Sequence, residues 1–294
     1  MKQSKMTLQK KRSLVGLAFT SPWIIGFIFL FFIPLIKTVF YSFSSIDMGN
    51  YGFDLNWVGF KNYRVTFLED PNNLRMIISS IGNVIVSVIV IVVFSMFLAI
   101  ILNQNFFGRS AARVVFALPI IIASGVIIVL LKENVLQQNM GSTETATTIF
   151  QSNGVLDFLK EMGLTDKLVY FFEGLVNDIF DVVWRSGIQI ILFLSALQSI
   201  QASSYEAAKI EGATAWESFW FVTFPMVSPF LLVNIIYTII DTFTNSTNTV
   251  MQKIFSLVSG IEYEQAAAFS LVYFILVLMV VGLVYIIMNK QLEK

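Results

Sequence analysis

The sequence predicts an all-α membrane protein that folds as a polytopic bundle of six transmembrane helices. Of its 294 residues, 56% are hydrophobic and only 13% are charged, and the mean hydropathy of +0.76 is far above that of a soluble domain. A membrane-spanning helix needs about 20 apolar residues, and six stretches of the chain meet that need. These stretches are too long and too continuous to be strands of a membrane barrel.

The residue types that the chain lacks exclude several classes of function. The chain has no Cys and no His, so disulfides, thiolate metal sites and His-dependent catalysis are ruled out. Its net charge is zero, which predicts no nucleic-acid partner. No GxxxxGK[ST] pattern occurs, so this chain cannot hydrolyse ATP through a P-loop. We therefore predict no metal, no cofactor and no enzymatic activity.

The six spans follow one another along the chain. Ser21 is expected to be the N-cap of the first span, with Pro22 at the first helical position. The predicted spans run from about Pro22 to Phe43, Met76 to Leu102, Arg113 to Leu131, Ile179 to Ile200, Ser228 to Phe243 and Ala266 to Met288.

The basic residues near the span ends predict the orientation. Five of them lie in residues 1–12, and cytoplasmic segments carry the excess of Lys and Arg. Residues 1–21 are therefore expected to be a cytoplasmic tail, and an even number of spans puts both termini in the cytoplasm. Two long outer segments, 44–75 and 132–178, are interpreted as extracellular caps. Within the second, residues 137–152 could instead be a disordered linker.

The polar segment 201–225, between the fourth and fifth spans, predicts two short helices at the cytoplasmic surface. Ser203 and Glu206 have the spacing of a capping box, as do Thr214 and Glu217. Gly212 lies where the first helix would end in the left-handed conformation. The second helix has an apolar face formed by Trp216, Phe219 and Trp220, and it is expected to stop at Pro225. An ordinary amphipathic connector remains the alternative interpretation.

The same segment resembles the "EAA" loop of carbohydrate ABC-transporter permeases. The similar residues are Glu206-Ala207-Ala208, the acid Glu211, Gly212-Ala213 and Pro225. The resemblance covers most of residues 15–290 and includes Pro34-Leu35, Tyr41-Ser42-Phe43, 58–63 (VGFKNY) and 194–200 (LSALQSI). It implies a MalF-like subunit with a MetI-like fold. The chain departs from this pattern at residues 245–252, which lack the Gly-Gly-Pro that such permeases often carry.

The resemblance implies what the chain binds. Its partners would be a second, MalG-like permease subunit, an ABC ATPase dimer and an extracellular solute-binding protein, and its substrate a carbohydrate. The ATPase would dock on the loop between spans 4 and 5, through Glu206, Ala207, Ala208, Glu211 and Gly212.

Polar residues within the fourth and fifth spans are candidates for substrate binding, because such residues are costly in lipid. Arg185 and Asp241 are expected at similar heights, and Asp241 is expected to share a helix face with Asn245. A purely structural salt bridge is the alternative. The candidate residues are Asp181, Trp184, Arg185 and Ile188 in the fourth span and Thr238, Asp241, Thr242 and Asn245 in the fifth.

Other functions remain open at this point. A secondary transporter would carry an inverted repeat and buried charges for ion coupling, and no convincing repeat is visible. An ABC permease for a non-sugar solute, such as glycerol phosphate, would carry the same loop. A membrane-embedded enzyme would have to act without His or Cys.

Overall fold

The computed structural model describes residues 8–49, 52–123 and 181–292, with a few single positions between 168 and 179. This part of the chain is helical apart from one β-hairpin. The helices are α1 (Leu8–Phe27), α2 (Ile33–Ser42), α3 (Lys61–Arg64), α4 (Pro71–Asn103), α5 (Arg109–Ala123), α6 (Gly187–Ser199), α7 (Ala202–Ile210), α8 (Ala215–Ser218), α9 (Phe224–Thr244), α10 (Thr249–Ser259) and α11 (Tyr263–Leu292). The hairpin strands are β1 (Ser44–Gly49) and β2 (Gly52–Trp57), and π turns occur at Ile28–Phe32, Val65–Glu69 and Phe219–Thr223.

Length and composition qualify four helical stretches of the described residues as membrane spans. These are Val15–Ser42, Pro71–Asn103, Ala215–Ser259 and Tyr263–Lys290, and the bent pair α6–α7 makes a fifth candidate. They contain the second, fifth and sixth predicted spans, the first except for Phe43, and most of the fourth. The predicted third span begins within α5, but its second half lies outside the described residues, as do most of the cap 132–178 and all of segment 137–152.

The predicted start of the first span is wrong, because α1 runs through Ser21 and Pro22 without a break. Proline has no N–H for the carbonyl four residues earlier, which here belongs to Ala18. The Ser21 hydroxyl donates to that carbonyl instead, at 2.8 Å. Ser21 therefore supports the helix interior and is not its N-cap.

The three π turns of the described residues each end two residues before a proline, at Pro34, Pro71 and Pro225. A proline ring in a regular helix collides with the carbonyl four residues earlier. In the π turns before Pro34 and Pro225, the residue next to the proline bonds five residues back, as in the bond from Phe224 N–H to the Phe219 carbonyl. The wider turn moves the conflicting carbonyl away from the ring. The expectation that Pro225 ends a helix is therefore wrong, since the helical run of α8, the π turn and α9 goes on past it to Thr244.

The β-hairpin is not predicted by the sequence, because its strands are short and partly polar. Strands β1 and β2 are antiparallel, and Ser44 pairs with Trp57. The Phe43 ring stacks on Trp57 with centroids 5.4 Å apart. The buried Asn62 side chain donates to the carbonyls of Ser42 and Ser44, at 3.0 and 2.9 Å. Asn62 thus fastens the end of α2 to the start of the hairpin.

The chain divides into two compact units. The first comprises the chain up to Ile81 together with Asn245–Val280, and the second comprises Gly82–Thr244 and Val281–Lys294. In the first, Phe67 stacks on the fully buried Phe269 at 5.5 Å. In the second, α6 packs against α5 and α9, with Phe193 and Phe243 fully buried.

Candidate functional site

Helix α7 forms the first half of the surface loop between α6 and α9, and it leaves α6 at an angle of 64°. Ile200 and Gln201 are extended, with ψ of 126° and 136°, and this extension makes the bend. Gln201 is the N-cap residue of α7, without a hydrogen bond from its side chain. The predicted capping box of Ser203 and Glu206 is therefore wrong, because Ser203 already lies inside the helix.

The predicted end of α7 in the left-handed conformation at Gly212 is confirmed. This residue has φ of +80°, in the left-handed region that glycine enters most easily. The Ala213 N–H donates to the Ala208 carbonyl at 2.9 Å, and the Gly212 N–H donates to the Lys209 carbonyl at 3.1 Å. This pair of bonds is a Schellman motif. A Cβ at Gly212 would meet no atom of this chain within 4 Å, so conformation, not crowding, favours glycine here.

The capping box of Thr214 and Glu217 is confirmed at the start of α8. The Glu217 N–H donates to the Thr214 hydroxyl at 3.3 Å, while the Glu217 carboxylate accepts from the Thr214 N–H at 2.8 Å. In addition, the hydroxyls of Tyr205 and Thr223 lie 3.0 Å apart and join α7 to the π turn that precedes α9. The loop is thus held by local bonds at three points: the Schellman motif, the capping box and this pair of hydroxyls.

The predicted coupling residues form an accessible surface on this loop. Glu206, Ala207, Glu211 and Gly212 are exposed and Ala208 is half-buried. Nearby, Ile210 keeps 87% of its surface exposed. Aromatic contacts among Trp216, Phe219, Trp220 and Phe224 stiffen the other half of the loop.

The structure brings together four of the eight predicted substrate residues in one charged cluster. Arg185 Nη1 lies 3.2 Å from Asp181 Oδ2, and Arg185 Nε lies 3.6 Å from Asp241 Oδ2. Arg185 Nη2 donates to the Thr242 hydroxyl at 2.6 Å. Arg185 and Asp241 therefore lie at similar heights, as predicted. We call Asp181, Arg185 and Asp241 the charged triad.

Beside the charged triad, buried polar side chains of α6 and α9 face each other. Gln189 Nε2 donates to the Thr238 hydroxyl at 3.1 Å, and both residues are fully buried. One turn before Thr238, Asn234 is also fully buried, and neither of its side-chain polar atoms has a hydrogen-bond partner. Sequence reasoning missed Asn234, although an amide within an apolar span is itself a signal.

The remaining three predicted substrate residues are Trp184, Ile188 and Asn245. Trp184 and Ile188 are half-buried on the same helical stretch as Arg185. Asn245 directly follows α9, which ends at Thr244. The Asn245 side-chain oxygen Oδ1 instead accepts from the backbone N–H and the hydroxyl of Thr247, both at 2.9 Å. This local turn competes with the helix at its last residue.

Comparison with known proteins connects the loop and two residues of the charged triad to a family of transport proteins. Residues 182–294 match the family model described as "Binding-protein-dependent transport system inner membrane component". This range contains Arg185 and Asp241 of the triad, but not Asp181, and it contains the whole surface loop.

Curated relatives extend the similarity along most of the chain. The probable ABC transporter permease protein YesP of Bacillus subtilis is 26% identical over 96% of this chain and 91% of its own length. The multiple sugar-binding transport system permease protein MsmF of Streptococcus mutans is 28% identical over 81% of this chain and 76% of its own length.

A solved structure shows the same fold. A chain of a bacterial ABC transporter involved in the import of the acidic polysaccharide alginate aligns with a TM-score of 0.70 at 20% identity, over 95% of this chain and 96% of that one. The predicted MetI-like permease fold is confirmed, and the number of candidate spans in the described residues is compatible with six.

Proposed function

From the match of residues 182–294 to the binding-protein-dependent transport system inner membrane component family, we infer that the chain is a permease subunit of an ATP-driven importer. It forms part of a path across the cell membrane for a sugar or oligosaccharide. It does not hydrolyse ATP itself, and a separate ABC ATPase supplies the energy. The named relatives, which include sugar-transport permeases, support this assignment.

The observation that carries the proposal is the exposed, locally braced loop 201–225. A helix that transmits movement between two proteins must be accessible to its partner and stiff within itself. Helix α7 meets both needs, since Ala207 is exposed and the Schellman bonds around Gly212 fix its end. We therefore assign Glu206, Ala207, Ala208, Glu211 and Gly212 as the contact with the ATPase.

The remaining partners follow from the same assignment. A second permease subunit, MalG-like, completes the path, and an extracellular solute-binding protein delivers the substrate. A solved relative of the same fold was captured with its periplasmic protein bound, which supports this kind of partner. Both termini are assigned to the cytoplasm, on the basis of the basic residues of the tail.

The substrate path passes the charged triad, where polar groups of the fourth and fifth spans lie among apolar residues. Asp181, Trp184, Arg185, Ile188, Thr238, Asp241 and Thr242 are the proposed contacts. Charged side chains in a membrane span most often mark a substrate or ion pathway. Asn245 is not included, because its side chain is engaged in the turn with Thr247.

The test is sugar uptake by the complete importer reconstituted in vesicles, with ATP supplied on the loop side. Ala207→Arg places a long charged side chain on the proposed contact, and we expect it to abolish ATP-dependent uptake and co-purification of the ATPase. The matched control is Ala202→Arg, an exposed position of the same helix about 140° away around its axis. Normal uptake by Ala207→Arg would contradict the proposal, and uptake that follows a proton gradient without ATP would indicate a secondary transporter.

A further inference from the structure

The charged triad exposes its two carboxylates and covers its single positive charge. The Arg185 side chain is 9% exposed, whereas the side chains of Asp181 and Asp241 are 51% and 33% exposed. A solute that approaches the triad therefore meets carboxylate oxygens and not the guanidinium group. The triad contains one positive and two acidic groups, so it has no positive charge left for an anion.

The hydrogen bonds within the triad explain why Arg185 stays covered. Its Nη1 and Nη2 groups are directed at Asp181 and at the Thr242 hydroxyl. That hydroxyl in turn donates to the Thr238 carbonyl at 2.7 Å, which leaves its lone pairs to accept from Arg185. Turning Arg185 toward a solute would break these bonds and separate two carboxylates from their counter-charge.

The exposed carboxylates have acceptor capacity for a sugar. Asp241 contacts Arg185 Nε as an ion pair at 3.6 Å. This distance is too long for a hydrogen bond, and Arg185 Nε has no hydrogen-bond partner. An ionised carboxylate has about four lone-pair positions, so Asp241 and Asp181 can each accept from sugar hydroxyls. A carboxylate on the sugar would offer no donor and would be repelled.

We propose that Asp181 and Asp241 make this permease select neutral oligosaccharides and reject uronates, which are sugars that carry a carboxylate. The inference rests on the proposed function and adds the charge class of its substrate. The fold does not dictate this choice, because the same fold occurs in an importer of an acidic polysaccharide. A sugar carboxylate about 7 Å from one triad carboxylate would be repelled by it. At an effective dielectric constant of about 20, this repulsion weakens the binding of the sugar roughly 50-fold.

The test measures binding to the permease itself, since a solute-binding protein selects substrates as well. The two permease subunits and the ATPase are placed together in lipid nanodiscs, and the solute-binding protein is left out. This assembly is titrated with three pairs of trisaccharides and binding is followed by ligand-detected NMR. Each pair consists of a neutral hexose oligomer and its C6-carboxylate counterpart. We expect the neutral member to bind at least about tenfold more tightly, a smaller ratio than the Coulomb energy gives because solvent screens the exposed parts of both carboxylates.

Neutralising substitutions identify the source of the preference. The double variant Asp181→Asn/Asp241→Asn should bring the ratio of affinities close to one, and Asp181→Asn alone should give an intermediate ratio. Because the Asp181 side chain is half exposed, the single variant tests the proposal even where the double variant fails to fold. The control Asp54→Asn/Glu69→Gln removes the same charge at exposed positions outside the triad and should leave the ratio unchanged.

The outcomes separate this inference from the proposed function. Equal affinities in the unsubstituted importer, or a preference that survives both triad variants, would overturn charge selection and leave the sugar importer intact. Charge selection at the triad is also overturned if none of the trisaccharides binds to the permease in nanodiscs while the importer still takes up sugar with ATP. Complete absence of sugar uptake would overturn the proposed function, and charge selection with it.

Discussion

The left-handed conformation of Gly212 makes the coupling loop sensitive to the type of residue placed there. An L-residue in this conformation costs about 1–2 kcal/mol relative to its preferred regions, and a β-branched residue is the least tolerant. Asn is among the non-glycine residues that adopt it most readily. Because a Cβ at Gly212 meets no atom of this chain within 4 Å, the cost of Gly212→Val comes from the backbone alone.

The chain has two ways to respond to valine at this position. It can keep φ near +80° and bear the strain, or it can rotate and lose the two bonds to the Ala208 and Lys209 carbonyls, worth about 1 kcal/mol each. Both responses cost about 1–2 kcal/mol, which lowers the ratio of native to alternative loop conformations by a factor of about 5 to 30. That factor is the upper bound for the loss of ATP-dependent uptake that we expect from Gly212→Val, whereas Gly212→Asn should lose less than about threefold.

The assay is uptake per inserted permease in reconstituted vesicles, with insertion measured separately. Gly108 provides a matched control, since it also has a positive φ, of +86°, and an open Cβ position. It precedes α5, outside the coupling loop, so Gly108→Val should impose the same backbone cost with a smaller effect on uptake. Equal losses for the valine and asparagine variants of Gly212 would refute the conformational argument and would mean that the partner tolerates no side chain there.

Three further substitutions test the packing of the described residues through the unfolding temperature in detergent. Asn62→Ala removes two buried hydrogen bonds and should cost about 1–3 kcal/mol, whereas the exposed Asn56→Ala should be neutral; equal effects would show that the hairpin is not fastened in this way. Ile261 is a β-branched residue with φ of +65°, so Ile261→Gly should relieve about 1 kcal/mol of net strain, and a fall in stability would contradict that strain. Asn234→Leu replaces an unpartnered buried amide and should stabilise the chain by about 1–3 kcal/mol. The control Val233→Leu, at an exposed position, should not change the stability. A destabilised Asn234→Leu variant would mean that this amide is satisfied.

Features that depend on neighbouring residues are predictable from the sequence. The glycine at 212 and the Thr214–Glu217 capping box are encoded within a few residues, and both appear as predicted. The meeting of Arg185 and Asp241 is also predictable, because helical rise fixes the height of each residue once both spans are known. This reasoning works for two spans that run in opposite directions from a short connecting loop.

Features that depend on distant partners are missed. The hairpin strands have only six residues each, and their fastening residue, Asn62, is 18 and 20 positions away from the carbonyls it binds. Helix α10 is overlooked because its N-cap, Asn248, lies in a segment that is polar throughout. That Asn accepts from the Val250 N–H at 2.9 Å, and it also bonds Ser80, 168 positions earlier. No local pattern indicates such a contact.

The prolines show how one residue type has different structural solutions in this chain. Two prolines follow a serine, and in each case the serine hydroxyl donates to the carbonyl that the proline leaves without an N–H. Ser21 donates to the Ala18 carbonyl, and Ser228 donates to the Pro225 carbonyl, both at 2.8 Å. The helix continues without widening through the prolines that follow, Pro22 and Pro229.

Prolines that do not follow a serine have two further solutions. A π turn lies in front of Pro34 and Pro225, which follow Ile33 and Phe224, whereas α5 continues through Pro119 without one. In this chain a preceding serine accompanies a regular helix in both cases, and Pro119 shows that it is not required. Because an unsatisfied carbonyl is costly in lipid, a chain in the membrane has reason to rebuild the helix around a proline instead of ending it. The predicted boundary at Pro22 is wrong for this reason, since proline ends a helix most readily where water can take over the carbonyl that it leaves unpaired.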